Sequence, residues 1–287
     1  MSRTRLSISL LMLLASLSAG CTELRGRKRI QEGHAAYKRG DFARAAELFA
    51  DAATFVPDMP LVWLNRGYAC RELLLPGAAA PANQKAAACA LDSFKRLRQL
   101  DPNDPRGDRL YVQTLFDVGE YKTIERGFVL RHERNPNDLD AVLVLEQVYF
   151  KLGRWRDALA FYRKAAALRS DDAESQYAVG NFIWQILQTH GGGSAWTDYD
   201  PRPRPERTAP PAAMPGDIVG AGRVALAEEG IRYLGKASSL RPHFSEALTY
   251  IGLLYRQQSF GQVEDVPAWQ SAVSQSLAFA ARAAEKP

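Results

Sequence analysis

The chain has 287 residues, 46% apolar and 10% aromatic, which is enough to build a core and too many for a disordered chain. Its formal net charge is +5, from 37 basic and 32 acidic residues; without Arg3 and Arg5, which lie in a leader expected to be removed, it is +3. No clustered basic face accompanies this mild excess, so nucleic acid is not an expected partner.

Residues 1–20 begin with the positive Arg3 and Arg5, continue through a mainly apolar run from Leu6 to Leu17, and end on Ser18, Ala19 and Gly20. This is the layout of a secretory signal, and the apolar run is too short for a membrane span. The stretch Leu17-Ser18-Ala19-Gly20-Cys21 resembles a bacterial lipobox, with Ser18 in the slot usually held by Leu. That resemblance implies acylation of Cys21 and makes 21–25 a lipidated tether; the other reading is ordinary secretion, with Cys21 a bystander. In known lipoproteins an Asp after the Cys favours inner-membrane retention, so Thr22 points to the periplasmic face of the outer membrane. Arg25, Arg27, Lys28 and Arg29 either draw anionic headgroups or form a solvated first turn.

Beyond the leader the sequence repeats. The clearest unit is Leu139–Asp172, with two bursts of apolar residues at helical spacing around Gly153. Tyr149 closes its first helix, Trp155 plugs the turn, and Ala158, Tyr162 and Ala165 form the inner face of the second. A unit from Pro105 carries Gly119, Tyr121, Phe128 and the turn Asn135-Pro136-Asn137-Asp138 in the same register, 34 residues before Leu139. The first unit carries Gly33, Tyr37, Gly40-Asp41-Phe42, Ala45, Phe49, Ala52 and Pro57.

These residues resemble the tetratricopeptide repeat family, whose 34-residue unit is a pair of antiparallel helices. The remaining units are interrupted. The second runs from Pro60 through Trp63 and Gly67 to Ala90 and Phe94, with an insertion at about 73–84. The fifth starts at Ala173 with Tyr177, Gly180 and Trp184, and resumes after an insertion at about 190–217. The sixth opens at Ser245 with Gly252 and Tyr255, and its second helix, about Trp269 to Ala284, departs from the pattern as terminal caps do. The expected fold is therefore all-α: a right-handed α-solenoid of about six helix pairs with two inserted loops, covering 26–285.

Cys70 and Cys89 would meet an oxidising compartment after export. They either bond across one helix pair or are two small residues buried in a tight packing, and the second reading is preferred because cysteine is commonly buried unbonded. The longer insertion holds six prolines from Pro201 to Pro215, with Trp196 and Tyr199 as apolar anchors. It reads as a polyproline or irregular loop that docks on a partner, folds across the groove, or lies free on the surface.

No catalytic, cofactor or metal site is expected. His34, His132, His190 and His243 form no metal-binding spacing. His190-Gly191-Gly192-Gly193 resembles a lipase oxyanion loop but lacks a nucleophile elbow, and Gly220 to Ala225 matches a relaxed dinucleotide fingerprint with no strand before it. Asp101-Pro102-Asn103-Asp104 lacks the length of a calcium loop and fits a turn between repeats.

The family resemblance implies that the first helix of each pair lines a concave groove. The slot facing it holds Tyr37, Arg71, Phe116, Phe150, Trp184 and Arg256; Tyr68, Arg106, Arg109, Leu143, Tyr177 and Leu253 fall in other groove-facing slots. Aromatic anchors with interspersed Arg are the composition of binding hot spots; the alternative is that some pack against neighbouring helices. Of the Lys, Asn and Arg set of the carboxylate-clamp subset only scattered members appear, so chaperone tails are not expected partners. The architecture is similar to envelope-assembly lipoproteins, such as pilotins and the repeat lipoprotein of β-barrel assembly. It implies a scaffold for a pilus, secretion, motility or barrel-assembly complex, or else an adaptor that recruits cell-wall hydrolases.

Overall fold

A computed structural model describes residues 22–77, 80–203 and 209–285. The leader 1–20 and Cys21 lie outside the described residues, as do 204–208 within the proline-rich insertion. The helices run in chain order as α1 (22–38), α2 (Phe42–Phe55), α3 (Pro60–Arg71), α4 (Pro81–Leu100), α5 (Pro105–Asp117) and α6 (Tyr121–Arg134). They continue as α7 (Leu139–Lys151), α8 (Trp155–Leu168), α9 (Ala173–His190), α10 (Gly220–Leu240), α11 (Ser245–Phe260) and α12 (Val266–Ala284), with a 3-10 turn at Ser194–Trp196. No strand occurs among the described residues. The fold is the expected all-α series of six helix pairs.

The helix boundaries follow local chemistry. Pro60, Pro81 and Pro105 each open a helix, where the missing N–H costs nothing and the fixed φ is already helical. Asp41, Asp104, Asp138 and Asp172 cap α2, α5, α7 and α9 by accepting from backbone N–H groups at 3.0–3.2 Å, each worth about 1 kcal/mol. The acidic inter-repeat turns are thus helix caps. Gly40, Gly119 and Gly153 take φ of 77°, 76° and 68° in the turns within the pairs, a region open to glycine at little cost.

Two boundaries differ from expectation. Residues 81–84, assigned to the first insertion, are the first turn of α4, because Pro81 starts the helix. Residues 22–25, assigned to a tether, belong to α1, where Glu23 and Arg27 pair at 2.8 Å four residues apart.

The described chain divides between Ile124 and Glu125, inside α6, into two compact units. In the first, α2, α3, α4 and α5 pack successively, with Leu48, Phe49, Val62, Phe94, Leu97 and Leu110 in the core. In the second, each helix from α7 to α12 packs on the next and α9 also meets α11. Leu145, Leu159, Ile183, Leu187, Leu234 and Leu254 form its centre.

One contact recurs. A Cβ on Gly33 would strike the Phe49 ring, one on Gly67 the Phe94 ring, and one on Gly180 the Leu234 side chain. A glycine in the first helix of the pair thus admits a large side chain from the second. In the fourth pair this slot holds Glu146, and the matching large residue is Tyr162.

Cys70 and Cys89 form a disulfide that joins α3 to α4, with Cα atoms 5.9 Å apart. The preference for unbonded burial does not hold. Both positions face the same helix–helix seam, and Cys70 is 1% exposed.

Candidate functional site

The groove candidates fall into two sets, one in each unit. In the first unit Tyr68 on α3 is half-buried with its ring 6.2 Å from Phe94, and it neighbours both Tyr37 on α1 and Arg106 on α5. Tyr37 donates its hydroxyl to Glu72 at 3.1 Å, and burial together with that carboxylate raises its pKa. The Arg106 guanidinium grips its own helix-capping residue, Asp104, at 2.7–3.1 Å. That contact holds the Asp104 carboxyl below its ordinary range. Arg109 is exposed and has no ion-pair partner among the described residues. Arg71 pairs with Asp117 at 2.8 Å and donates to Gln113 at 3.2 Å, tying α3 to α5. Phe116 is half-buried with its ring 5.9 Å from Tyr121. Arg106 and Arg109 are exposed and Tyr37 and Tyr68 half-buried, while Arg71 and Phe116 hold the helices that carry them.

In the second unit the candidates separate more sharply. Tyr177 lies 5.0 Å from the Phe244 ring and 5.7 Å from Tyr250, and burial with the Tyr250 hydroxyl pushes its pKa up to about 12. Trp184 packs edge-on against Tyr250 at 5.1 Å. Both are half-buried parts of the α9–α11 packing. Phe150 instead is 46% exposed.

Phe150 forms one wall of a cavity of about 150 Å³, with Gly153, Trp155, Phe182, Gln185, Ile186, Thr189 and His190. Its floor is rigid. Phe182 lies 5.8 Å from Phe150 and stacks at 4.5 Å on Tyr162, whose hydroxyl neighbours Glu146. Trp155 and His190 lean together at 5.4 Å. The sequence reading places Trp155 in a turn and His190 at a helix end, and does not join them. Their separation of about one repeat length is the available signal: it sets the turn of one pair against the end of the first helix of the next.

The longer insertion is folded over its described part. Trp196 and Tyr199 are 5% and 7% exposed and pack against Phe260. Arg223, 1% exposed, donates to the Gly191 carbonyl at 2.6 Å and to Gln257 Oε1 at 2.5 Å, and lies over the rings of Phe260 and Trp196 at 5.0 and 5.6 Å. Burial lowers its pKa to about 10, which leaves it cationic at neutral pH. Arg256, a groove candidate by slot, donates to the Thr197 carbonyl at 2.7 Å and so fastens the insertion too. Residues 191–199 are therefore fastened to α10 and α11, and Arg202 lies 5.5 Å over the Trp269 ring of α12.

Among the described residues, no three His, Cys, Asp or Glu side chains lie close enough together to hold a metal ion. No helix among them is long and apolar enough to cross a membrane.

No protein-family model and no curated protein matches the chain. Among solved structures, it is similar to MamA 41-end from Desulfovibrio magneticus RS-1, at 13% identity, 91% of this chain, 98% of that chain and a TM-score of 0.28. A monomeric IFIT1 mutant gives 16%, 91%, 51% and 0.36. The TPR domain of P58(IPK) gives 13%, 91%, 99% and 0.19.

Proposed function

We propose that this chain is a protein-binding scaffold. The observation that carries the reading is the grouping of half-buried Tyr37 and Tyr68 with exposed Arg106 on the first helices of three successive pairs. Aromatic and arginine side chains on a rigid helical support are what protein interfaces use as anchors, because they bury much surface with little loss of rotamer freedom. We further propose that acyl chains on Cys21 hold the scaffold at the periplasmic face of the outer membrane. There it gathers envelope proteins into a pilus, secretion, motility or barrel-assembly complex. The support for this part is the sequence of residues 1–21.

The test is a pull-down from detergent-solubilised envelopes, comparing the wild type with Tyr68→Ala/Arg106→Glu. Loss of specific envelope proteins from the variant is the expected result. If the proteins lost are cell-wall hydrolases, the chain is a hydrolase adaptor instead. An unchanged set of captured proteins sinks the claim for this grouping. Mass spectrometry of the mature N-terminus should find a diacyl or triacyl group on Cys21; an unmodified Cys21 would overturn the anchor.

A further inference from the structure

The cavity beside Phe150 has the size and surroundings of a site for one side chain. An apolar cavity of about 150 Å³ accommodates a benzene ring, and this one has the same volume. Phe150, Phe182, Trp155 and Ile186 provide apolar wall, while Gln185, Thr189 and His190 offer polar edges. Such a balance suits an aromatic or branched aliphatic group attached to a backbone that stays at the rim.

The rim decides the charge of what surrounds that group. Arg154 is already held by Glu125 at 2.5 Å and Asp157 at 2.8 Å. Lys151, next to Phe150, and Arg156, whose guanidinium lies 4.2 Å over the Trp155 ring, are exposed and have no ion-pair partner among the described residues. The local excess is positive. The negative end of α9 asks for no cation from a ligand, because Arg223 takes the Gly191 carbonyl and the Ile218 N–H takes the His190 carbonyl at 2.6 Å. A basic ligand therefore gains nothing at the end of α9 and is repelled by Lys151 and Arg156, which favour an acidic one.

We propose that this notch takes a single aromatic or branched aliphatic side chain from a protein segment whose flanking residues are acidic. The proposal rests on the scaffold reading and names the chemistry of one partner segment.

The probe is a capped synthetic peptide, Glu-Asp-Phe-Glu-Asp, titrated into the full mature chain and followed by saturation-transfer NMR on its ring protons. Two control peptides replace the central Phe by Ala or the acidic flanks by Lys. Ring saturation by the wild type is expected, with each control binding about tenfold or more weakly. Phe150→Ala, at an exposed position, and Gln185→Trp, which fills the cavity, should each weaken binding about fivefold or more without loss of fold. Arg156→Glu should remove the preference for acidic flanks. The proposal is overturned if the Ala-centred or Lys-flanked peptide binds as well as the probe. It is equally overturned if Phe150→Ala and Gln185→Trp leave the affinity unchanged. If the peptide fails while envelope proteins are still captured through Tyr68 and Arg106, the notch alone is wrong; if both fail, the scaffold reading falls with it.

Discussion

Tyr162 sets its hydroxyl beside the carboxylate of Glu146 at the place where other helix pairs press a large side chain against a glycine. The exchange puts an ionisable group into a packed seam between α7 and α8. Burial raises the Glu146 pKa to about 7, against the partial relief given by the Tyr162 hydroxyl and the charge of Arg169. Tyr162 in turn stacks on Phe182, a wall of the notch beside Phe150.

The consequence is a dependence of stability on pH. The unfolded chain releases the Glu146 proton near pH 4.5, whereas the folded chain keeps it until about pH 7. Below pH 4.5 both states hold the proton. Between these values the folded state holds more protons than the unfolded one, so stability falls as pH rises, and above about 7 the loss is complete. The size is on the order of 2 kcal/mol after allowance for the part of the side chain that water reaches. Urea unfolding of wild type and Glu146→Gln at pH 5 and pH 8 checks this. The variant should lack this fall, and parallel curves for the two proteins would contradict it.

Gly67→Ala should be destabilising. Its new methyl would land on the Phe94 ring, which is fully buried between α3 and α4. Overpacking of this kind costs about 1–3 kcal/mol, whereas an alanine in an uncrowded helix interior would add stability. Gly127→Ala is the matched control, since nothing lies within 4 Å of a Cβ there. A lower melting temperature for the first substitution and a higher or equal one for the second is the expected pattern.

Breaking the Cys70–Cys89 bond should weaken the first unit. The bond closes a loop of sequence separation 19 that contains the shorter insertion. Loop-closure entropy for such a length is about 3 kcal/mol. Thermal unfolding of Cys70→Ala/Cys89→Ala should show the loss, and dithiothreitol should bring the wild type down to the variant while leaving the variant unaffected. A wild type insensitive to reductant would mean that the two thiols contribute only through packing.

Arg223→Met should release the insertion. The substitution leaves the Gly191 carbonyl and Gln257 Oε1 without their donor in a buried site, at a cost of about 2–4 kcal/mol. Hydrogen exchange in 191–203 should speed up, and Trp196 fluorescence should shift towards that of an exposed indole. Unchanged exchange in that segment would show that Trp196 and Tyr199 hold the insertion without Arg223.

Much of the fold is local and therefore readable. Proline at a first helical position, aspartate at an N-cap and glycine in a left-handed turn act through their nearest neighbours, so Pro60, Asp138 and Gly153 mark their boundaries wherever the chain runs. The 34-residue spacing then places Gly33 against Phe49 and Gly67 against Phe94, since a repeated unit repeats its contacts. The same frame places Tyr37, Tyr68 and Arg106 in groove-facing slots but does not join them, since Tyr37 shares its slot with Arg71 and Phe116. Comparing the small-residue slot across units would also have exposed Glu146 as the departure it is. What the sequence leaves open are choices between partners distant along the chain. Whether Cys70 bonds Cys89 depends on the seam between α3 and α4. Whether Trp184 and Tyr177 are anchors or packing depends on Tyr250, which covers them from α11. Whether Trp196 is free depends on Phe260 and Arg223, and how open Phe150 is depends on α9, whose Phe182 meets it edge-on and leaves it 46% exposed. Helical periodicity assigns each of these residues a face, but burial is decided by what the rest of the chain brings to that face, and that is a property of the tertiary structure alone.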